Sequence, residues 1–389
     1  MVKMESNENI VVRGLKDVVA TETRISFVDP NGSLYYSGYN IDDLAKHNAS
    51  YEEVIYLLWN DRLPNKKELE EVRTTLVSEM ELPEEVIRRL RSASHESHPM
   101  DVLRTAVSHV GEYDPEVNDM SDSANRRKAF WLVAKIPTIV AYLYRIRRKD
   151  PIISPAKKLG FAANLLYMFR GTYPDEVDTR AIDRYMMLHA DHGLNASTFS
   201  ARVTASTQSD MYSAVTSAIG TLKGPLHGGA SERVMVMLEQ VNLREVEAYI
   251  KGMLDDKKKI MGFGHRIYRA EDPRSRHLRE MSALLCSRIN QEELHEKSSE
   301  IERVVQREKG IYPNVDFYAA TVMHALGVPK EFFTALFACS RISGWSAHVM
   351  EQHQENVLIR PTSKYTGLYG REYVPVGERG QEAVKSTTD

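Results

Sequence analysis

Apolar residues recur at helical spacing through most of the chain, and this pattern constrains the fold more than any other feature. In YEEVIYLLW, residues 51–59, they fall on one broad stripe of a helix, and Pro64 follows the stripe. The same pattern occurs in AFWLVAKIPTIVAYLYRI, LGFAANLLYMF, AIDRYMMLHA, DMYSAVTSAIGTLK, ERVMVMLEQV, LREMSALLCSRI, YAATVMHALG and EFFTALFACSRISGW. Residues 292–309 also have a helical pattern, but a highly charged one that is typical of a solvated face. The chain is therefore predicted to be mainly α.

Residues 24–36 are the one place where a strand pattern is convincing. There ISFV and LYYS flank Asp29-Pro30-Asn31-Gly32, a turn sequence suited to a short hairpin. With 389 residues the chain is longer than one ordinary core, so two domains are expected. Glycine- and proline-containing breaks at 224–229 and 327–329 are points where such a chain can pivot.

The composition is that of an ordinary globular protein, with 42% hydrophobic and 27% charged residues. A net charge of −3 gives no general attraction to nucleic acid, so no nucleic-acid partner is expected. Cys286 and Cys339 lie in apolar helical segments without CxxC spacing, which predicts buried reduced thiols. The start, MVKMESNENIVV, lacks the apolar core of a secretion signal, and no apolar stretch approaches the roughly 20 residues of a membrane span. We expect a cytoplasmic protein with no membrane partner.

Five short motifs carry the candidate chemistry. They are KGPLHGGA, IMGFGHRIYRAEDPR, YPNVDFY, SRISGW and LIRP, in that order. They supply two histidines in glycine-flanked turns, His227 and His265, one carboxylate after a Pro-Asn break, Asp316, and several arginines. Each piece alone is weak, since Gly-x-Gly is common in loops and an acidic residue often opens a helix. Together they are what an enzyme needs to form an enolate and direct it at an anionic carbonyl compound.

In this order, and with ISFVDPNGSLYYSGYNIDDLA near the start, the motifs resemble the citrate synthase family, including the 2-methylcitrate synthases. The resemblance covers nearly the whole chain. It implies a mainly α, two-domain, multi-helical fold with a short N-terminal β-hairpin. A small domain, 227–326, would close over a large domain that is formed by 1–226 and 327–389. It also implies a homodimer in which the C-terminal segment of one subunit completes the site of the other.

The activity implied by the resemblance is the condensation of acetyl-CoA with oxaloacetate, followed by hydrolysis of citryl-CoA to citrate and CoA, a step of the tricarboxylic acid cycle. No cofactor is implied beyond the coenzyme A thioester, which is a substrate, and no metal. The carboxylate matching Asp316 removes the methyl proton of acetyl-CoA. A neutral His227, placed before a helix N-terminus that disfavours imidazolium, donates to the enolate oxygen, and His265 donates to the keto oxygen under attack. Local geometry alone would also explain His227 as a helix cap and Asp316 as a first-turn residue.

Oxaloacetate carries two carboxylates, which planar guanidinium groups match better than lysine does. The resemblance implies four contacts to it: His192 in HADHGLNAST, Arg274 in EDPR, Arg341 in SRISGW, and Arg360 in LIRP from across the dimer. For coenzyme A it implies the glycine-rich loop and its flanking cations, namely Lys259, Gly262, Phe263, Gly264 and Arg269. Two departures from the family pattern are Gly193, where Glu or Ser is usual, and Arg233, where a small residue is usual.

Three alternatives stay open at this point. His189 and His192 fall at i and i+3 on a predicted helix, and His95 with His98 repeats that spacing, which raises the possibility of a metallohydrolase, although no HExxH or CxxC supplies further ligands. A relative that binds CoA without turning it over is a second alternative. The third is a 2-methylcitrate synthase or dual-specificity enzyme using propionyl-CoA, since one methylene is worth only about 1–3 kcal/mol in an apolar pocket. Leu226 before His227 favours the acetyl-CoA enzyme.

Overall fold

The computed structural model describes residues 11–15 and 17–379. Within this part of the chain there are sixteen α-helices and one three-stranded sheet, which confirms the mainly α prediction. The strands are β1 (Ser26–Asp29), β2 (Ser33–Tyr36) and β3 (Tyr39–Asn40). The helices are α1 (Ile41–Lys46), α2 (Tyr51–Asn60), α3 (Lys66–Ser78), α4 (Glu84–Arg91), α5 (Pro99–Gly111), α6 (Asp122–Arg147), α7 (Phe161–Arg170), α8 (Glu176–His189), α9 (Ala196–Ser206), α10 (Met211–Leu222), α11 (Ala230–Gln240), α12 (Val246–Asp255), α13 (Pro273–Arg288), α14 (Glu292–Lys309), α15 (Val315–Ala325) and α16 (Phe333–Gln354). Short 3-10 helices lie at Arg13–Leu15, Leu243–Glu245, Lys330–Phe332 and Val376–Glu378.

The chain divides into two compact units. One is Thr23–Ile359, which contains the sheet and all sixteen helices; the other combines the two chain ends, Met1–Glu22 and Arg360–Asp389. The predicted boundaries at 226/227 and 326/327 fall inside the first unit, and that division stays a prediction. Residues 1–10, on which the expected lack of a secretion signal largely rests, lie outside the described residues.

The predicted hairpin is present. Strands β1 and β2 pair antiparallel with Ser26 opposite Tyr36, and the turn is closed by the Gly32 N–H, which donates to the Asp29 carbonyl at 3.0 Å. Gly32 has φ +96°, a conformation that suits glycine in a tight turn. A third strand, β3, extends the sheet; it was not predicted because two residues are too short for an alternating pattern. Tyr36 is fully buried, and its hydroxyl lies 3.1 Å from the Asp191 carbonyl oxygen, so the hairpin supports the segment after α8.

Helix α16 forms the centre of the larger unit. It packs against α6, α8, α9 and α10, and nearly all of its residues are buried. The close contact with the segment after α8 requires a glycine: a Cβ on Gly344 would lie 2.5 Å from the carbonyl oxygen of Ala190. The Gly344 N–H donates to that same carbonyl at 3.1 Å. This explains a small residue inside SRISGW and brings α16 directly against the HADHGLNAST segment.

One sequence expectation needs correction. Helix α6 spans 26 residues and is long and apolar enough to cross a membrane by length and composition, whereas no stretch was expected to approach that length. Of its most apolar window, 78% is buried inside the protein, so the helix packs as a core element.

The two cysteine predictions are confirmed: Cys286 and Cys339 are both buried and unpaired. Burial raises the pKa of the Cys286 thiol.

Candidate active site

The glycine-rich loop after α12 is joined to the segment before α15 by backbone hydrogen bonds. The Gly264 N–H donates to the Tyr312 carbonyl at 2.9 Å, and the Asn314 N–H donates to the Gly262 carbonyl at 2.8 Å. The Asn314 side-chain amide donates to the Gly264 carbonyl at 3.0 Å. The GFGH and YPNVDFY motifs, which are distant in sequence, therefore lie side by side.

Gly262 is required for this contact. Its φ is +79°, and a Cβ there would lie 2.8 Å from Val234 Cγ2 and 2.9 Å from Phe317 Cβ. Gly264 also has positive φ, +75°, but a Cβ on it would meet no atom within 4 Å. Gly262 therefore allows the loop to pack closely against Val234 and Phe317, whereas the space beside Gly264 is open.

His265 is held in one tautomer by the loop that carries it. Its Nδ1 accepts the backbone N–H groups of Ile267 at 3.0 Å and Tyr268 at 3.1 Å. Burial, with the positive charge of Arg274, lowers the pKa of His265 to about 4. The ring is therefore neutral at pH 7, with its single proton on Nε2, where it can donate a hydrogen bond.

His227 is also a neutral imidazole. Burial first, and the Arg341 charge second, lower its pKa to about 4. The helix that follows, α11, has Gly229 at its N-cap and no side-chain cap, so His227 does not cap it. Its Nε2 lies 2.8 Å from the Ser197 hydroxyl. This pKa agrees with the predicted neutral state, and its main cause is burial.

The Ser197 hydroxyl beside His227 belongs to the N-terminus of α9. It donates to Oδ1 of Asn195, the N-cap of that helix, at 2.8 Å. Asn195 Oδ1 also accepts the backbone N–H groups of Ser197 and Thr198, both at 3.1 Å. The N-terminus of α9 therefore holds this hydroxyl in place against the His227 ring.

Asp316 lies in the first turn of α15 but does not cap the helix. Asn314 is the N-cap, and its side chain accepts the Asp316 N–H at 3.1 Å. The Asp316 carboxylate is therefore left for other contacts. Burial raises its pKa to about 7, although the Arg274 charge acts in the opposite direction. A carboxyl group with a pKa near neutrality is suited to accepting a proton from a weak acid.

Two buried arginines lie close to these groups. Arg341 Nε donates to the His189 carbonyl at 2.8 Å, and its Nη2 has no hydrogen-bond partner in the described part of the chain. Arg274 forms a forked ion pair with Asp272, with Nε to Oδ1 at 3.0 Å and Nη2 to Oδ2 at 2.8 Å. Arg341 thus has a free donor at the site, and Arg274 is fixed in place by its partner carboxylate.

His192 lies between these elements. Its Nε2 is 3.1 Å from the Tyr268 hydroxyl, and its ring centroid is 5.1 Å from that of His265. Burial lowers its pKa well below the usual range. The turn that holds it is anchored by Asp191, whose Oδ2 accepts the Gly193 N–H at 3.0 Å and lies 3.3 Å from His348 Nε2. A buried carboxylate therefore fixes the backbone next to His192.

The expected helical His189/His192 pair is wrong. Helix α8 ends at His189, because the chain turns at Gly193, which has φ +56°. His189 Nδ1 lies 2.8 Å from the Tyr185 carbonyl, so it is occupied as a donor. No group of three or more His, Cys, Asp or Glu side chains within 11–15 and 17–379 could hold a metal ion.

The other predicted residues lie at the edge of this site or outside it. Lys259 and Arg269 are exposed, and the Arg269 N–H donates to the Pro30 carbonyl at 2.9 Å. Leu226 is 91% exposed on the loop before His227. Arg360 is exposed and belongs to the unit formed by the chain ends.

Several residues of the site were missed from the sequence. Asn195 and Ser197 lie in HADHGLNAST, Trp345 lies in SRISGW, and Asp272 lies two positions before Arg274 in EDPR. All four occur inside motifs already selected for another residue. One sequence signal could have indicated them: each motif contains further polar or aromatic residues besides the one that was predicted to bind a ligand.

Comparisons with known proteins agree with this geometry. The family profile described as "Citrate synthase, C-terminal domain" matches residues 14–362. Citrate synthase 2 of Bacillus subtilis is 49% identical over 369 residues, which is 94% of this chain and 99% of that one. 2-Methylcitrate synthase 1 of Corynebacterium glutamicum is 42% identical over 380 residues, 96% of this chain and 100% of that one. The solved citrate synthase of Thermoplasma acidophilum, in a ternary complex with carboxymethyl coenzyme A and oxaloacetate, matches with a TM-score of 0.91 at 32% identity, covering 95% of this chain and 100% of that one.

A carboxylate with a raised pKa, two neutral imidazoles and two buried arginines in a mainly α fold define an enzyme that acts on an anionic carbonyl compound. The chain belongs to the citrate synthase family. It is an acyl-CoA:oxaloacetate C-acyltransferase of the citrate synthase type, as the resemblance of its motifs indicated.

Proposed function

We propose that the enzyme prefers acetyl-CoA and that Asp316, His227 and His265 divide the chemistry between them. The observation that carries this proposal is the pairing of one carboxyl group with a pKa of about 7 and two imidazoles with pKa values of about 4. At neutral pH such a set holds one proton acceptor and two neutral proton donors. This is the combination that enolate formation and carbonyl attack require.

Oxaloacetate binds first to the arginines. The free Nη2 of Arg341 supports a contact with one carboxylate, and His192 and Arg274 lie beside it. Arg360 of a second copy supplies a further guanidinium. Planar guanidinium groups bind carboxylates through two parallel hydrogen bonds, which orients the keto carbon as well as holding the molecule.

The thioester is then enolised. Asp316 takes a proton from the methyl group of acetyl-CoA while a ring N–H of His227 donates to the thioester oxygen, on which negative charge develops. A thioester methyl group is a very weak acid, so removal of the proton depends on stabilising that oxygen at the same moment. The neutral state of His227 matters because it can donate this proton in a hydrogen bond without adding a buried positive charge.

The enolate carbon attacks the keto carbon of oxaloacetate and forms the new carbon–carbon bond. The keto oxygen takes up the developing charge, and His265 Nε2–H donates to it. Water then cleaves the thioester of citryl-CoA, giving citrate and free CoA. No metal or prosthetic group takes part in this scheme. The thioester supplies the activation that makes the condensation favourable.

Coenzyme A binds along the glycine-rich loop. The open space beside Gly264, where a Cβ would meet no atom within 4 Å, supports a close approach of the loop backbone to a ligand, and Gly262 allows the loop to pack against α15. Phe263 lies between the two glycines, and the exposed cations Lys259 and Arg269 flank the loop and would attract the phosphate groups.

The working form is a cytoplasmic homodimer. Support comes from the chain ends, which expose several large apolar side chains that a partner subunit would cover. These include Val19 at 88%, Tyr369 at 79%, Tyr373 at 82% and Val376 at 79% exposed. Arg360 opens the same C-terminal segment, so a second copy that binds this segment also receives the arginine. Closure of the small domain, 227–326, over the large one completes the site.

The preference for acetyl-CoA is tested by comparing kcat/KM for acetyl-CoA and propionyl-CoA with oxaloacetate, following release of the CoA thiol. We expect acetyl-CoA to be favoured by about tenfold or more, the size of a one-methylene effect. Equal or reversed values would assign the 2-methylcitrate or dual-specificity activity, for which the 42% identity to 2-methylcitrate synthase 1 is the supporting observation.

The same assay tests the other two alternatives. Absence of any thiol release would identify a protein that binds CoA without turnover. Full activity after treatment with a chelator is expected, and loss of activity reversed by a metal ion would contradict the metal-free scheme.

A further inference from the structure

Three residues of α16 form hydrogen bonds to three successive residues just before His192. The pairs are Arg341 Nε with the His189 carbonyl oxygen at 2.8 Å, the Gly344 N–H with the Ala190 carbonyl oxygen at 3.1 Å, and His348 Nε2 with Asp191 Oδ2 at 3.3 Å. Positions 341, 344 and 348 lie on one side of the helix, because they are spaced by three and four residues. One face of α16 therefore holds the backbone that leads to His192.

The His348 ring carries its hydrogen on Nε2. The other ring nitrogen, Nδ1, lies 3.1 Å from Nη1 of Arg202. A guanidinium group only donates hydrogen bonds, so Nδ1 must accept, and the ring hydrogen is left on Nε2. There it faces Asp191 Oδ2, which makes His348 a donor to the carboxylate. Arg202 is itself fixed, because its Nε donates to Gln352 Oε1 at 3.0 Å.

The Asp191 carboxylate depends on few donors. Besides His348, its Oδ2 accepts the Ser26 hydroxyl and the Gly193 N–H, the latter at 3.0 Å. Its Oδ1 is buried and has no hydrogen-bond partner in the described part of the chain. Burial acts to raise the pKa of Asp191, but the donors and positive charges around it lower the pKa below its usual value, so the carboxyl group is ionised. A fully buried carboxylate is costly without donors, so each of these hydrogen bonds matters.

We propose that His348 is a positioning residue for oxaloacetate binding, which acts through Asp191 to hold the turn that carries His192. This inference rests on the proposed role of His192 as an oxaloacetate contact. Asp191 and Gly193 flank His192, and the hydrogen bond from the Gly193 N–H to Asp191 Oδ2 closes the turn around it. If the His348 donor is lost, the carboxylate turns toward another donor or takes up a proton, and the Gly193 N–H is released. His192 then loses its fixed position, and oxaloacetate binding weakens.

The effect should fall on oxaloacetate and not on the acyl-CoA. Arg341, the guanidinium proposed for an oxaloacetate carboxylate, lies on the same face of α16 as His348, so one rigid helix sets its position relative to His192. His227 and Asp316, which are proposed to act on the acyl-CoA, lie on the loop before α11 and in α15. Among the described residues no hydrogen bond joins either of them to His348.

Two substitutions of His348 separate its two hydrogen bonds. The side-chain amide of glutamine reaches the position of Nε2, so His348→Gln keeps a donor to Asp191. The amide of asparagine reaches only the position of Nδ1, so His348→Asn removes that donor. We expect His348→Asn to raise the oxaloacetate KM about tenfold, the effect of one lost hydrogen bond, with kcat and the acetyl-CoA KM within about threefold of wild type. His348→Gln should keep the oxaloacetate KM within about threefold of wild type.

His353→Asn is the matched control, because His353 lies on the same helix and makes the same pair of hydrogen bonds. Its Nδ1 accepts from the Asn125 side-chain amide at 3.0 Å, and its Nε2 lies 3.2 Å from the Ser209 carbonyl oxygen. Neither partner belongs to the site, so the oxaloacetate KM should stay within about twofold of wild type. Both His348 variants replace the ring by an amide, so a packing effect would appear in both. Any result in which His348→Asn does not raise the oxaloacetate KM more than His348→Gln does overturns the inference.

Two further measurements do not depend on turnover. In protein labelled with ¹⁵N-histidine, wild-type His348 should show a protonated Nε2 and an unprotonated Nδ1. In protein labelled with ¹⁵N-glycine, hydrogen exchange of the Gly193 amide should be slow in the wild type and in His348→Gln, and faster in His348→Asn. A wild type with a protonated Nδ1 on His348 overturns the inference even if His348→Asn does not fold. If both measurements come out as expected but the wild type shows no condensation, the proposed function fails and the hold of His348 on the His192 turn stands.

Discussion

Arg341 Nε donates to the carbonyl oxygen of His189 at 2.8 Å, which fixes the guanidinium plane while Nη2 is left without a partner in the described residues. An arginine held by one edge presents the rest of its fork to a ligand. Arg341 is only 1% exposed, so an unsatisfied donor there carries a desolvation cost that an anionic ligand would remove. The Nη2 position is therefore the best-defined anion contact of the site.

Arg341→Lys should raise the oxaloacetate KM by roughly ten- to a hundredfold, as expected for the loss of a charge-assisted hydrogen bond. A lysine cannot both hold the His189 carbonyl and reach the ligand with a second parallel donor. Arg145→Lys is the matched control, because Arg145 is a buried arginine whose hydrogen bonds go to the carbonyls of Pro151 and Phe169. Unchanged oxaloacetate affinity in Arg341→Lys by calorimetry would remove Arg341 from the binding site.

Asp316→Asn should lower kcat by about 10²- to 10⁴-fold, the usual contribution of a positioned base, while oxaloacetate binds almost normally. The reason is that the carboxylate acts on the acyl-CoA and not on the keto acid. Asp183→Asn is a matched control, since Asp183 is also a partly buried carboxyl group whose pKa is raised, to about 8, by burial and by Glu52, and it accepts the Tyr51 N–H. If a folded Asp316→Asn protein kept more than roughly a tenth of the wild-type kcat, another group would have to be the base.

The fold class and the segments that form the site could be predicted because their signals are local. Apolar spacing defines helices such as α2, and the Asp-Pro-Asn-Gly turn defines the hairpin between β1 and β2. The end of α8 was placed wrongly because Gly193 turns the chain only in combination with the buried Asp191, whose partners come from other elements. A glycine near the end of an apolar helix did not by itself indicate that turn.

Protonation states depend on contacts that no local pattern contains. The His265 tautomer is set by two backbone N–H groups in its own turn. This interaction is local, but any residue type can supply a backbone N–H, so the sequence does not indicate it. His227 contacts the Ser197 hydroxyl, which also accepts the indole N–H of Trp345 from 148 positions away in the sequence. The neutral state of His227 was predicted from a helix N-terminus, and burial with the Arg341 charge is the larger cause. Long-range packing thus sets the chemistry of residues that motifs only identify.

The pH dependence of activity should report Asp316. Burial raises its pKa to about 7, while the pKa values of His227 and His265 are lowered to about 4, so the carboxyl group is the one of the three that titrates near neutrality. Because the base must be ionised, kcat/KM for acetyl-CoA should rise with pH to a midpoint near 7 and then level off. A midpoint below about 5 would mean that Asp316 is not buried in the working enzyme.

Folding stability should respond to the same group with a definite sign. The folded pKa of about 7 is higher than the ordinary value of 3.8, so the folded protein binds the Asp316 proton more tightly than the unfolded chain does. Stability is then lost as pH rises between about 4 and 7 and is constant above that range. Asp316→Asn should remove this loss, which is at most about 4 kcal/mol at roughly 1.4 kcal/mol per pKa unit and is reduced by the partial solvent access of the side chain. Urea unfolding of both proteins at pH 5 and pH 8 measures it, and an equal pH effect in the two would exclude Asp316 as its source.

Oxaloacetate should bind first and draw the small domain, 227–326, toward the large one. The motivation is that the proposed oxaloacetate ligands Arg274 and Arg341 come from opposite sides of the break near Gly327, so one dianion contacts both only in the closed state. Closure would also exclude water from the enolate. An unreactive oxaloacetate analogue should therefore tighten acetyl-CoA binding and compact the protein in small-angle scattering, whereas Arg341→Lys should weaken both effects. Equal acetyl-CoA affinity with and without the analogue, together with unchanged scattering, would refute ordered closure and leave the roles of Asp316, His227 and His265 intact.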